Sequence, residues 1–314
     1  MYNKIFSTKD FRINFITNSK EFLRLIDNYL DFPEGNYPAP KITATFEIIV
    51  KKPESRKNKG DHIYQGYLLN EAKISPFSNC LVSGMQINAK RCHVQASIVN
   101  YRESMKEHLL DFVFLKPLRI ILAHQGLFPL HSSSVERGNA CVLISGEGNS
   151  GKSTLAYTLA RNGFELLADD DCFVKLSGKR TLLFPFPTKM GVMDGRKTEL
   201  EKYILKNYRF GIKRRVCLRH IYSPGSRNYY RNKLLLFPKY CKNKGIQFRN
   251  ITGKEALGRL AKENIDLFFR QGNQKLAIKN FWALYVLTKE ARCFELCYND
   301  SLLNKIPDKI RNLL

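Results

Sequence analysis

The sequence predicts an α/β protein whose first third is β-rich, and three observations predict it. Residues 41–50 (KITATFEIIV) and residues 92–101 alternate apolar and polar side chains, the period of a half-buried strand. From residue 140 the pattern becomes an apolar run, a glycine-rich turn, a helix-forming run and a second apolar run, the order of an α/β core. Two helix-length segments then precede a short apolar strand and a terminal helix. The expected division is a β-rich α+β region over 1–126 and an α/β domain over 127–314.

The elements follow in order. Residues 51–61 are charged and carry Pro53 and Gly60, so they read as a turn or exposed loop. Glu103 to Gln125 reads as a helix that Pro117 breaks or kinks, closed by Gly126. His131 to Val135 is a short strand and Ala140 to Ser145 a buried one. Gly146 to Gly151 is a loop, and Lys152 to Asn162 a helix stopped by Gly163. Phe164 to Ala168 is the next strand. Residues 172–176 and 181–184 form a hairpin around Ser177-Gly178. Helices are expected near 253–272 and 274–290, then a strand over 292–298 and a last helix up to Leu314.

Composition narrows the function classes. With 314 residues, 44% of them apolar, the chain can build a real core and is not a disordered tail. Its net charge of +24 favours anionic partners, or is simply a solvated excess of lysine. The N-terminal residues lack the apolar run of a signal peptide, and no apolar stretch is long enough to span a bilayer. The eight cysteines include no CxxC pair. Cys293 and Cys297 share one strand face and are expected to pack as small apolar thiols in a cytoplasmic, reduced protein.

Residues 146–154 (GEGNSGKST) fit the phosphate-loop pattern G-x-x-x-x-G-K-[ST] between a buried strand and a helix. Glycines let backbone N–H groups turn toward an anion without side chains in the way, and the helix N-terminus adds its positive end. Gly146, Glu147, Gly148, Asn149, Ser150, Gly151, Lys152, Ser153 and Thr154 are therefore the expected nucleotide cradle. Lys152 reaches the outer phosphates of ATP and the Ser153 hydroxyl ligates Mg2+. Asp169, Asp170 and Asp171 end the very next strand. There a carboxylate can hold magnesium and a neighbour can accept the proton of an attacking hydroxyl.

Taken together, His131 to Val135 (HSSSV), Val142 to Thr154 and Gly163 to Asp170 resemble the HPr kinase/phosphorylase family and its relatives. Those share the phosphate-binding architecture of ATP-dependent PEP carboxykinases. The resemblance covers residues 131–190 and implies a P-loop kinase core of the HPr kinase/PEP carboxykinase type. It also implies serine phosphorylation. Asp169 then maps to the base that takes the hydroxyl proton, Asp170 to a magnesium ligand and His131 to a residue near the phosphates. His131 reads equally as a strand histidine satisfied by a backbone partner. The glycine-rich stretch that follows the magnesium site in bifunctional HPr kinases is missing. Residues 185–192 (PFPTKMGV) stand in its place, and Lys189 there reads as a surface lysine ahead of a contact to phosphate or substrate. Shorter relatives that phosphorylate a precursor-peptide serine look closer.

Residues 196–249 hold sixteen Lys and Arg against Glu199 and Glu201, with Tyr208, Tyr222, Tyr229 and Tyr230 among them. Arg209, Lys213, Arg214, Arg215, Arg219, Arg227, Arg231 and Lys233 would suit an acidic peptide, or form an ordinary solvated face. The interleaved tyrosines would also allow nucleic-acid stacking, but no nucleic-acid-binding signature accompanies them. Two other outcomes stay open: a small-molecule acceptor such as free serine, and a nucleotide-dependent switch.

Overall fold

The structure is a computed structural model that describes residues 1–32, 40, 42–51, 67–69, 72–74, 82–99, 109–193, 204–210, 213–217, 228–242, 245–264 and 274–314. The chain divides into two compact units, Met1–Gln125 with Leu267–Gln274, and Gly126–Asp266 with Lys275–Leu314. Of the sequence expectations, the 51–61 loop, the first turns of the 103–125 helix and the end of the 253–272 helix fall largely or wholly outside the described residues.

The first unit contains β1 (Tyr2–Ser7), β2 (Phe11–Thr17), α1 (Lys20–Tyr29), β3 (Ile42–Lys51), β4 (Tyr67–Leu69), β5 (Ala72–Ile74), β6 (Val82–Asn88) and β7 (His93–Val99). The strands form one mixed sheet in the order β1-β2-β3-β7-β6-β4-β5. Strict alternation along β2 buries Phe11, Ile13 and Phe15 on one face. Helix α1 begins where Ser19 Oγ accepts the Phe22 N–H at 3.1 Å, and its buried Phe22, Leu25, Ile26 and Tyr29 recur at helical spacing. The stack of Phe15 on Phe22, centroids 5.9 Å apart, fastens helix to sheet.

The segment around Pro117 departs from a simple kink. A π-turn over Asp111–Leu115 leads into α2 (Lys116–His124), with Pro117 in the first α-helical turn. Lys116 N–H bonds back to Asp111 O across five residues, and the proline follows where a missing N–H costs least.

The second unit opens with β8 (Leu127–Arg137), longer than the five-residue strand expected, because β11 flanks its first half and β10 its second. Next come β9 (Ala140–Ser145), α3 (Lys152–Arg161), β10 (Glu165–Ala168), β11 (Asp171–Ser177), β12 (Arg180–Pro185), β13 (Met190–Met193), β14 (Ile204–Phe210) and β15 (Lys213–Val216). They are followed by β16 (Asn232–Tyr240), β17 (Gln247–Asn250), α4 (Gly253–Asn264), α5 (Gln274–Glu290), β18 (Ala291–Tyr298), a 3-10 turn (Asp300–Lys305) and α6 (Ile306–Arg311). The main sheet runs β12-β11-β8-β9-β16-β18-β17, and β13-β15-β14 form a separate ribbon.

Strands β9, β16 and β18 are mutually parallel, and every residue of β9 is buried, as strands covered on both faces require. On one face Val135, Val142, Ile144, Leu234, Leu236 and Leu296 pack under α3 and α6. On the other, α4 lies over the alternate residues: Arg259 reaches the Phe237 ring at 5.2 Å and Glu295 at 2.7 Å. The unit is thus helix on sheet on helix.

One cysteine expectation is overturned. Cys297 is disulfide-bonded to Cys241, with their Cα atoms 5.7 Å apart. Parallel pairing sets Lys239 beside Cys297, and the Cys241 N–H donates to Tyr298 O, so the chain leaving β16 returns its thiol to the next strand. A separation of 56 residues hides that adjacency from spacing alone. Cys293 is buried as a free thiol, and burial pushes it up to about 11.

Candidate active site

The phosphate loop leaves the end of β9 and enters α3. Gly146 (φ 148°), Asn149 (φ 65°) and Gly151 (φ 97°) take left-handed or near-mirror backbone angles that reverse the chain within six residues. Gly151 is doubly constrained, because a Cβ there would collide with the Tyr298 hydroxyl. The Ser150 N–H closes the loop on Glu147 O at 3.2 Å. Lys152 is only 5% exposed, and its Nζ donates to Gly146 O at 2.7 Å and Glu147 O at 3.1 Å, folding the ammonium back over the loop. From α4, Lys262 pairs with Glu147 at 2.5 Å and holds its carboxyl below the ordinary range.

The acidic run is a tight turn between β10 and β11. Asp171 N–H donates to Asp169 O at 3.0 Å across Asp170, whose φ is 69°, a γ-turn of the disfavoured hand. Its surroundings fix that conformation. Thr188 Oγ1 donates to Asp169 O at 2.5 Å, His131 Nδ1 lies 3.0 Å from Asp170 O, and Phe186 N–H donates to Asp171 O at 3.1 Å. The Asp169 carboxylate is fully buried and accepts from Ser133 Oγ at 2.5 Å, whereas Asp170 is partly exposed.

Register brings the two features to one edge. Strand β8 is antiparallel to β9 on one flank and to β10 on the other, so β9 and β10 run the same way with β8 between them. They are not adjacent strands of a simple βαβ unit. Ser145 pairs with Ser132 and Ala168 with Ser134, so the phosphate loop and the acidic turn leave the sheet two residues out of step. At ~4.8 Å between strands and ~3.3 Å per residue, their roots are about 12 Å apart. His131 lies at this edge too: its N–H donates to Asn264 Oδ1 at 2.5 Å, its carbonyl accepts from Ser145 Oγ at 3.1 Å, and its ring faces the acidic turn. The backbone-partner reading of His131 therefore holds, and that partner is part of the site.

The loop suits a phosphate chain. Two glycines and Asn149 supply its positive-φ backbone, and Ser150 Oγ is buried there with no hydrogen bond inside the protein. Ser153 and Asp170, both partly exposed at this edge, are a hydroxyl and a carboxylate of the hard-oxygen kind magnesium prefers. Among the described residues no group of three or more His, Cys, Asp or Glu could hold a metal by itself. Magnesium at such a site takes most of its ligands from phosphate and water.

Several site residues carried no sequence signal. Ser133, Thr188, Asn264 and Tyr298 act through hydrogen bonds or packing from other elements, and only alternation along β8 could have set Ser133 apart from Ser132 and Ser134. Lys189, read as a surface lysine, is only 4% exposed beside Thr188. Lys233 also leaves the basic surface: it is buried, donating to Tyr230 O at 3.0 Å and pairing with Glu290 at 3.1 Å. Tyr230 is buried as well, its hydroxyl on Glu136 at 2.6 Å, so it offers no stacking platform. Arg219 and Arg227 lie outside the described residues.

Among the described residues no helix is long and apolar enough to cross a membrane. No family model matches the chain, and no curated protein matches it. Among solved structures it is similar to the Hpr(Ser) kinase/phosphatase from Coxiella burnetii, at 13% identity and a TM-score of 0.30, over 59% of this chain and 94% of that one. A likeness that faint carries no argument about function.

Proposed function

We propose that the second unit is an ATP-dependent kinase that transfers the γ-phosphate to a serine hydroxyl of a peptide or protein. The observation that carries this reading is the pairing of β8, which sets a glycine-lined anion loop and an acidic turn on its two flanks at one sheet edge. A nucleotide switch needs the first feature; an alcohol kinase needs both.

In this reading the loop amides and Lys152 hold the triphosphate, and Ser153 and Asp170 hold magnesium. The metal supplies charge neutralisation on the phosphate oxygens. Asp169 accepts the proton of the attacking seryl hydroxyl, and Ser133 keeps that carboxylate in one orientation. His131 braces the turn through the Asp170 carbonyl. The full burial of Asp169 against the partial exposure of Asp170 favours one variant of the scheme, in which the two carboxylates exchange roles.

The test is transfer from labelled ATP to serine peptides, with free serine and water as competing acceptors. Asp169→Asn is expected to lower transfer by roughly 10³-fold or more while ATP affinity stays within about twofold. Near-normal turnover of Asp169→Asn with loss in Asp170→Asn would exchange the roles. Hydrolysis without transfer to any acceptor would support the switch instead.

A further inference from the structure

Helix α5 (Gln274–Glu290) is apolar on two sides, and the core accounts for only one of them. Leu276, Ala277, Ala283, Leu284 and Leu287 are buried, and between them Asn280 Nδ2 donates to Asn264 O at 3.2 Å. The other side carries Ile278, Phe281, Trp282 and Tyr285, whose i, i+3, i+4, i+7 spacing puts them on one face. Ile278 is 57% exposed, Phe281 41% and Trp282 54%, and the Trp282 ring meets the partly exposed Tyr285 ring edge to face at 5.4 Å. A helix that is apolar all round belongs inside a protein or against another apolar phase. Large side chains left in water over two consecutive turns make a contact surface, where single ones would need no explanation.

The same side of the helix is cationic. It carries Lys275, Lys279 and Lys289, all exposed, and the helix contains one acid, Glu290. That acid is turned away: Glu290 Oε2 accepts from the Thr181 N–H at 2.9 Å and from Lys233 Nζ at 3.1 Å. Lys275 and Lys279 stand one turn apart beside Ile278 and Trp282, with no hydrogen bond or ion pair among the described residues. Lys289 lies 5.7 Å from the Tyr285 ring. This mixture chooses between occupants. The centres of protein–protein interfaces favour aromatic residues but are depleted in lysine. A helix lying in a membrane surface uses both: rings settle at headgroup level, while lysine stems run over apolar surface and keep their ammonium groups at the lipid phosphates. The chain's net charge of +24 acts in the same sense toward an anionic leaflet.

We infer that the exposed face of α5 is a peripheral docking surface for an anionic lipid bilayer. Ile278, Phe281 and Trp282 enter the headgroup boundary, and Lys275, Lys279 and Lys289 pair with lipid phosphates and carboxylates. The contact runs along the helix and needs no spanning segment. It is independent of the kinase reading, and its test uses no nucleotide.

Trp282 is the chain's single tryptophan, so its fluorescence reports on this face alone. The full chain is titrated with vesicles of phosphatidylserine and phosphatidylcholine in equal parts, and with vesicles of phosphatidylcholine only, the bound fraction being read by co-sedimentation. The acidic vesicles should bind at least ~25-fold more tightly, less so as salt is raised. On binding, Trp282 emission should move to shorter wavelength, and brominated acyl chains should quench it. Lys275→Gln/Lys279→Gln should weaken binding roughly 25-fold, since each lysine at an anionic surface contributes about fivefold. Ile278→Ser/Phe281→Ser should weaken it at least ~10-fold. Both variants should keep the parent's thermal midpoint, because the side chains they change are exposed; the lysine pair, which removes no ring or branched side chain, decides the matter if the serine pair unfolds. Failure to bind acidic vesicles would overturn the inference, as would equal binding to neutral ones or an unshifted Trp282 emission on bound vesicles. Undiminished binding in both variants would place the membrane contact elsewhere and overturn it too. Sedimentation velocity without lipid tests the rival occupant: a dimer that dissociates in Ile278→Ser/Phe281→Ser, with no vesicle binding by the parent, would give the face to a second copy of the chain. Loss of the kinase reading would leave every one of these outcomes unchanged.

Discussion

The phosphate loop and the acidic turn both follow a strand and both use left-handed backbone, but the loop reverses the chain whereas the turn is a kink between β10 and β11, which run the same way along β8, and they are built in opposite ways. The loop takes two of its three special angles from glycine and is closed by one backbone bond and a folded-back lysine. The turn places a non-glycine residue, Asp170, at φ 69° and fixes it with bonds from Thr188, Phe186, His131 and Ser133. The contrast follows from the chemistry each would perform. A cradle of amides must close on a flexible phosphate chain, and glycine leaves that backbone free to adjust. A proton acceptor must stand at one place before the acceptor arrives, so its strain is held by surrounding bonds.

The largest effect should come from the loop's one charge. Lys152→Ala is expected to weaken ATP binding on the order of 100-fold, about 3 kcal/mol, with transfer falling further; calorimetry and initial rates measure both. An unchanged affinity would mean that the loop does not hold the phosphates. A smaller loss should follow from freeing the turn's carboxylate. Ser133→Ala should lower kcat by roughly 10- to 100-fold, about 1 to 3 kcal/mol, at constant KM for ATP, and Ser133→Thr should restore most of it. A fall in ATP affinity instead would place Ser133 with the loop.

Relieving the turn should separate stability from activity. Asp170→Gly should raise unfolding free energy by about 1 kcal/mol, read by denaturant titration, while reducing magnesium-dependent transfer. A destabilised variant would show that the turn stores no strain.

The smallest effect concerns the support that both features share. Helix α4 carries Lys262 to the loop and Asn264 to His131, and it is tied to the sheet through Arg259 on Glu295. Hydrogen bonds from Arg249 and Arg259 depress the Glu295 carboxyl from 4.5 to about 2. A depressed carboxyl stabilises the fold above its unfolded value and loses that contribution as pH falls from 4.5 toward 2. Glu295→Gln should therefore lower the thermal midpoint slightly at pH 7 and converge with the parent near pH 2.

Much of this was readable in the linear pattern. Strand β9, the loop, the start of α3, Gly163 and the β11–β12 hairpin are where local signals place them, because each is set by its own glycines and apolar period. The failures share one cause. Lys189 and Lys233 read as surface charges because nothing local announces a buried partner such as Glu290, 57 residues from Lys233. Cys297 read as an isolated thiol because Cys241 reaches it only through the pairing of β16 with β18.

By itself the sequence determined that an apolar strand feeds a glycine loop and a helix, and that three aspartates end the next strand. Helical and strand periods and the left-handed freedom of glycine are local properties, and they survive in one dimension. Only the tertiary structure decided that β8 inserts between those two strands and that Ser133 and Thr188 grip Asp169. Strand order and register are settled by which faces bury together across the whole sheet, and no single segment encodes that choice.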